Sequence, residues 1–321
     1  MVSKDRILDA NVDAPVDMAV DLGGIPMRNP VNTASGTFGN GRQFEGFFDV
    51  GSTLGAITCK GVAARPWDGN PAPRLAELSA SAIMNSVGLQ NPGVEAFCET
   101  YGDYLRDVRD RGCAVICQVA GHSIPEYEEA LDLFEGLADF ASAFEINISC
   151  PNIAAGGAAM GATPQAASDV MRALRPRTKR PIVVKMAPHD VAEIGRALEE
   201  AGADALSLIN TIPGMAIDVR TRKSRLARAT AGVSGPAIHA IAVRMVWECA
   251  RAVQIPICGI GGIASGVDAA EMILAGATAV AVGTANLYDP TCAARVVTEL
   301  EGWVRDQGVA SVRELIGAAE V

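Results

Sequence analysis

The run Ala143-Phe144-Glu145-Ile146-Asn147-Ile148-Ser149-Cys150-Pro151-Asn152 is where the fold can be read. Its first residues are apolar-leaning and short, as in a strand, and its last six hold a thiol, a hydroxyl and two carboxamides. Pro151 forbids the strand from continuing and biases Cys150 toward an extended conformation. A strand that stops in this way presents a nucleophile or a base at its C-terminal end. Around that group lie side chains that donate and accept hydrogen bonds to a planar polar ligand.

The same rhythm recurs along the chain. Short β-branched runs occupy residues 31–34, 56–60, 115–119, 145–147, 183–185, 206–210, 257–259 and 279–282. Longer stretches with helical spacing of apolar residues, such as 191–201, 237–252 and 265–275, lie between them. Ala-Gly-Ala at 201–203 and again at 275–277 reads as a glycine helix stop feeding the next strand. Eight strand–helix units predict an α/β fold of the (β/α)8 TIM-barrel type. No G-x-G-x-x-G opens a helix after the first strand, which argues against a dinucleotide-binding sheet. Residues 18–28, turning at Gly23-Gly24, predict an N-terminal β-hairpin that closes the bottom of the barrel. Two long excursions, 61–93 and 211–236, predict βα-loop insertions at the C-terminal face, where barrels build or cover their sites. Residues 1–17 are expected to form an N-terminal extension, and 18–321 a single barrel domain.

The bulk properties narrow the function classes. A chain of 321 residues with 49% hydrophobic content can bury a large core, and a barrel needs roughly 250 residues. The net charge of −10 and the lack of a Lys/Arg run exclude a nucleic-acid surface. The first residues are charged and lack an apolar signal region, and no window is long enough for a membrane span. The expectation is a cytoplasmic protein whose 8 cysteines are reduced thiols. No C-x-x-C occurs, and His122, His189 and His239 stand at unrelated spacings, so no metal site is expected.

In barrels, catalytic groups sit just past the strand C-termini. Those positions here are Lys60, Asn147 with Cys150, Lys185, Asn210-Thr211, Gly259 to Gly262, and Gly283-Thr284. The glycine pairs after strands 7 and 8 suit a phosphate, because glycine lets backbone N–H groups approach closely. A tight turn would use the same residues. Lys60 and Lys185 end apolar strands and point a cation at the mouth, where it can hold an anionic substrate or a reduced cofactor ring. Cys150 differs from the other cysteines in having Ser149, Pro151 and two Asn as neighbours, and it can act as nucleophile or proton acceptor. A hydrolase triad would need His122 or His189, and no local motif supports either. Asn85-Ser86-Val87-Gly88-Leu89-Gln90-Asn91-Pro92, with Asn147, Asn152 and Asn210, offers carboxamides that match a pyrimidine or imide edge.

Taken in order, these motifs resemble the class 1 dihydroorotate dehydrogenases from about Met18 to the C-terminus. The resemblance rests on Ala34-Ser35-Gly36, Gly69-Asn70-Pro71, Asn85 to Leu89, Asn147 to Asn152, Val184-Lys185, Ile209-Asn210-Thr211, Gly235-Pro236, Gly261-Gly262 and Gly283-Thr284. It implies an FMN at the barrel mouth, bound by Ser35, Lys60, Gly61, Gln118, Asn147, Lys185, Ile209, Gly235, Gly261, Gly262, Gly283 and Thr284. It implies that dihydroorotate is held by Lys60, Asn85, Ser86, Val87, Gly88, Leu89, Asn147, Asn152, Asn210 and Thr211, and oxidised to orotate in pyrimidine biosynthesis. Cys150 would be the base that removes the proton from ring carbon 5. The chain departs from the family at 118, where Asn is expected and Gln118 stands. Residues 88–93 and 210–222 look like the NAD-linked subtype (1B). That subtype pairs a homodimeric core with a partner subunit carrying FAD and a [2Fe–2S] cluster, in a heterotetramer. Three alternatives remain at this level: the fumarate-linked subtype (1A), a dihydropyrimidine dehydrogenase subunit, and a non-catalytic barrel binding a phosphorylated ligand. The second typically reads Cys-Pro-His where this chain has Cys150-Pro151-Asn152.

Overall fold

A computed structural model describes residues 16–78, 82–149 and 160–321. Eight parallel strands form its centre: β1 (Val31–Thr33), β2 (Ala56–Thr58), β3 (Ala114–Val119), β4 (Ala143–Asn147), β5 (Ile182–Lys185), β6 (Ala205–Leu208), β7 (Ile257–Ile260) and β8 (Ala279–Val282). They are hydrogen-bonded in the order β1-β8-β7-β6-β5-β4-β3-β2. The ring closes between β1 and β2, where Gly55 N donates to Val31 O at 3.0 Å. Inside, Asn32 Nδ2 donates to Thr58 Oγ1 at 2.9 Å across the same seam. The fold is a (β/α)8 barrel, as the repeated units predict.

Every residue of these strands is buried, because helices cover the outside and side chains fill the inside. The covering helices are α1 (Val50–Thr53), α2 (Val94–Asp110), α3 (Ile124–Leu137), α4 (Pro164–Leu174), α5 (Val191–Glu200), α6 (His239–Ala250), α7 (Gly266–Leu274) and α8 (Cys292–Asp306). Local chemistry sets their ends. Ser123, Thr163 and Ser265 cap α3, α4 and α7 by accepting a backbone N–H three residues on. Gly202 and Gly276, with φ of 95° and 118°, stop α5 and α7 where the Ala-Gly-Ala segments predict.

The strand ends differ slightly from the sequence reading. β2 stops at Thr58 because Lys60 N turns away to Gly39 O and Asn40 Oδ1, both at 3.1 Å, instead of a neighbouring strand. β6 stops at Leu208, one residue before Ile209. The predicted hairpin is present: Val20–Asp21 pairs antiparallel with Pro26–Met27. Leu22, Ile25 and Met27 are buried, and a Cβ on Gly23 would run into the carbonyl of Asp204, at the start of β6. The hairpin therefore plugs the N-terminal end of the barrel. Ahead of it, Asp17 bridges to Ser311 and pairs with Arg313, and Val16 packs on the core.

The two excursions are not separate loops. Leu75–Glu77, Ile83–Asn85, Ala231–Ser234 and Ile212–Gly214 form one antiparallel sheet over the mouth. Segment 211–236 is therefore tied by strand pairing to the first excursion.

Candidate active site

The C-terminal ends of the strands gather three sets of side chains. The first lies on β3, β4, β5, β6 and the loop after β1. Lys185 Nζ donates to Ser35 Oγ at 3.4 Å, and Gln118 Nε2 donates to the same oxygen at 2.7 Å. Gln118 Nε2 also donates to Glu145 Oε1 at 2.6 Å, and Ser207 Oγ donates to Glu145 Oε2 at 2.7 Å. Gln118, Glu145, Lys185 and Ser207 are all at most 5% exposed, so this is a buried polar chain with hydrogen-bond partners at each link. Gly36 and Gly61 lie against it. A Cβ on Gly36 would sit 3.7 Å from Lys60 Nζ, and one on Gly61 would clash with Gln118 Oε1. Both predicted lysines thus face one space.

The second set carries carboxamides and hydroxyls. Asn147 Oδ1 accepts from Ser149 Oγ at 2.6 Å and from Ser149 N at 3.2 Å. Asn210 Nδ2 donates to Ser149 Oγ at 2.5 Å, and Tyr127 Oη donates to Asn147 O at 2.5 Å. Thr211 N donates to Asn210 Oδ1, and the sheet next to it leads to Asn85, whose Nδ2 donates to Gly232 O at 3.4 Å. The segment from Ser86 to Leu89 turns back over the mouth through left-handed Gly88 and Leu89, φ 71° and 52°. Asn70 Nδ2 holds it by donating to Ser86 Oγ at 2.8 Å, and Leu89 comes to 3.6 Å from where a Gly61 Cβ would stand.

The third set is the glycine cradle. Gly261 and Gly262 have φ of 140° and 70°, and a Cβ on Gly262 would come within 2.7 Å of His239 Cβ and 3.0 Å of Gly235 O. Only glycines let these three backbones converge. Gly261 also lies beside Ile209, and Gly283 beside Ala34 and Thr37, which joins the cradle to the first set. Thr284 Oγ1 donates to Ser234 Oγ at 2.8 Å. Gly283 leads into a short 3-10 turn, Thr284–Leu287, and not directly into α8. Anion binding there would draw on backbone N–H groups more than on a long helix dipole. The cradle and one ammonium make a donor set that fits a phosphorylated flavin.

Cys150 and Asn152 lie outside the described residues. Every other predicted site residue lies at the C-terminal mouth or in the sheet above it. Glu145, Ser207, Ser149, Tyr127 and Asn70 were missed as site residues. Glu145 had a signal: it stands two residues before Asn147, so the strand's period of two puts both side chains on one face.

Each of the three histidines has a partner within the protein. His122 stacks on Trp67 at 3.9 Å, and His189 Nδ1 lies 3.5 Å from Asp190 Oδ2. His239 Nδ1 donates to Gly261 O at 2.8 Å, and its Nε2 faces Glu271 Oε2 at 2.9 Å. With Asp268 it forms a group whose ligand-type atoms lie within 4.8 Å of one another, a cluster that the sequence spacings do not announce. Both ring nitrogens face protein oxygens, so the ring ties the cradle to Glu271 on α7. Among the described residues, no helix is long and apolar enough to cross a membrane.

Residues 17–303 match the family described as Dihydroorotate dehydrogenase. The chain is 48% identical over 307 residues to the protein named dihydroorotate dehydrogenase B (NAD(+)), catalytic subunit, of Geobacter sulfurreducens, covering 95% of this chain and 99% of that one. Proteins of the same name from Geobacter metallireducens and Trichlorobacter lovleyi are 46% and 45% identical, over 95% and 94% of this chain and 99% and 98% of theirs. In fold, the chain is similar to a DHODH of Eimeria tenella crystallised with ferulenol. There the TM-score is 0.78 at 23% identity, covering 94% of this chain and 88% of that one.

Proposed function

The chain belongs to the dihydroorotate dehydrogenase family, and on that footing we propose that it is the catalytic subunit of an NAD-linked dihydroorotate dehydrogenase. The observation that carries the chemistry is the buried chain Lys185–Ser35–Gln118–Glu145, set between a glycine cradle and a carboxamide cluster. When bound, FMN supplies a hydride acceptor at its ring nitrogen 5. Gly235, Gly261, Gly262, Gly283 and Thr284 would hold its phosphate. Ser35, Gly61, Gln118, Asn147, Lys185 and Ile209 would line its ring, with Lys185 setting a positive charge against the ring's pyrimidine edge.

Dihydroorotate is a carboxylate on a cyclic imide. Lys60 would offset the carboxylate, and Asn85, Asn147, Asn152, Asn210 and Thr211 would meet the imide edge, with Ser86, Val87, Gly88 and Leu89 closing over it. Ser149 ties Asn147 to Asn210, which orients both amides before substrate arrives. Cys150, the next residue along the chain, takes the proton from carbon 5 as the hydride leaves carbon 6. The relatives' name, catalytic subunit, supports a partner to which electrons pass. In this reading the partner carries FAD and a [2Fe–2S] cluster, the assembly is a heterotetramer on a homodimeric core, and the protein is cytoplasmic.

The test is anaerobic mixing of the purified chain. Flavin colour should be present and should bleach with dihydroorotate, not with dihydrouracil, and NAD reduction should require the co-expressed partner. A protein that cannot be loaded with FMN, or whose flavin dihydroorotate leaves oxidised, refutes the reading. Turnover with fumarate by the chain alone would move it to the other subtype.

A further inference from the structure

Glu145 is a carboxylate inside a barrel core, 3% exposed, and the proposed reaction assigns it no contact with substrate or flavin. A buried charge is costly unless hydrogen bonds and an opposite charge offset it. Gln118 Nε2 and Ser207 Oγ supply the hydrogen bonds, at 2.6 and 2.7 Å. A hydrogen-bonded link to a cation runs through Gln118 and Ser35 to Lys185.

The consequence falls on Gln118. A carboxylate only accepts hydrogen bonds, so the amide nitrogen, and not the oxygen, must face Glu145. Its second hydrogen goes to Ser35 Oγ at 2.7 Å, which uses both amide hydrogens. Oε1 is left on the opposite side, over Gly61, where a Cβ would collide with it. The orientation of a side-chain amide is often ambiguous, and here the neighbouring carboxylate decides it.

We propose that Glu145 is a positioning residue that sets the hydrogen-bond polarity of the flavin site. It locks Gln118 so that the mouth meets an acceptor, Oε1, beside the Lys185 ammonium. Oxidised flavin has one ring N–H donor, on its imide, and a locked acceptor selects it. The carboxylate also places a negative charge one amide away from the ring, opposing the effect of Lys185 on reduction. This role rests on the proposed flavin site.

Three variants test it, read by FMN affinity and by the midpoint potential of the bound flavin. Glu145→Gln keeps the shape but removes the charge and the compulsion on Gln118. Affinity should fall roughly ten-fold, the loss of about one oriented hydrogen bond, and the potential should shift positive. Glu145→Asp keeps the charge but is too short to hold Gln118, so affinity should fall while the potential stays near that of the parent. In a Gln118→Met background, adding Glu145→Gln should change affinity no further, because the effect runs through the amide. Unchanged affinity and potential in Glu145→Gln, or an undiminished affinity loss in the Gln118→Met background, overturns the proposal. A merely structural role would lower thermal stability without moving the potential. If the parent chain itself does not take up FMN, the flavin reading fails instead, which the variants alone would not produce.

Discussion

Among single residues, burial decides which thiols are poor candidates for the base of the proposed reaction. Burial pushes Cys98 and Cys292 up to about 11 and Cys113, Cys249 and Cys258 up to about 12, so at neutral pH they are protonated and poor bases. The base of the proposed reaction must titrate closer to the working pH. Cys150→Ser should therefore slow flavin reduction by dihydroorotate about 10²–10⁴-fold near neutral pH, the range for loss of a general base, while the protein stays yellow. Stopped-flow bleaching checks this, and an unchanged rate would remove Cys150 from proton transfer. Gln118 is legible only in part at this scale. The sequence shows that an amide stands at 118, but its hydrogen bonds run to Glu145 and Ser35, two residues from other segments of the chain.

Among elements, the α7–α8 pair shows how helices are tied at the cradle's flank. Glu299 on α8 accepts from Gly266 N at 2.7 Å, at the first turn of α7, and from Arg295 at 2.9 Å. Burial raises its pKa, but the Gly266 N–H and the Arg295 guanidinium outweigh that, and the net shift is down. A carboxylate with a lowered folded pKa stabilises fully above its unfolded value and loses that effect as pH falls through the folded one. Glu299→Gln should cost about 1 kcal/mol near pH 7, as for loss of a helix cap, a drop of about 2 °C in melting midpoint. The gap between variant and parent should shrink as the pH is lowered below about 4. Calorimetry across pH reads both, and a gap that widens in acid would contradict the assignment. The glycine stops were legible, because such a stop needs only residues within one turn. The accessory sheet was not: Asn85 and Gly232 meet across 147 residues, and no local pattern announces such a pairing.

For the whole molecule, the barrel divides stability from chemistry between its two ends. The hairpin plugs the bottom with Leu22, Ile25 and Met27, none more than 2% exposed, while the candidate site lies at the top. Leu22→Ala should destabilise the fold by about 2–5 kcal/mol, the range for a large-to-small core change. FMN affinity under native conditions should stay within about two-fold, since additivity holds for distant sites. Denaturant midpoint and flavin titration together check this. A large loss of affinity in a folded variant would mean that the two ends are coupled.

By itself the sequence determined the eight strand–helix units, the hairpin turn, and which strand ends carry polar chemistry. These come from periodicity, proline and glycine, all of which act over a few residues. Only the tertiary structure decided that the two excursions share one sheet, that β1 and β2 close the ring, and that Glu145 faces Gln118 and Ser207. Each of those depends on segments far apart in the chain being packed together, and the burial that makes Glu145 consequential exists only once the ring has formed.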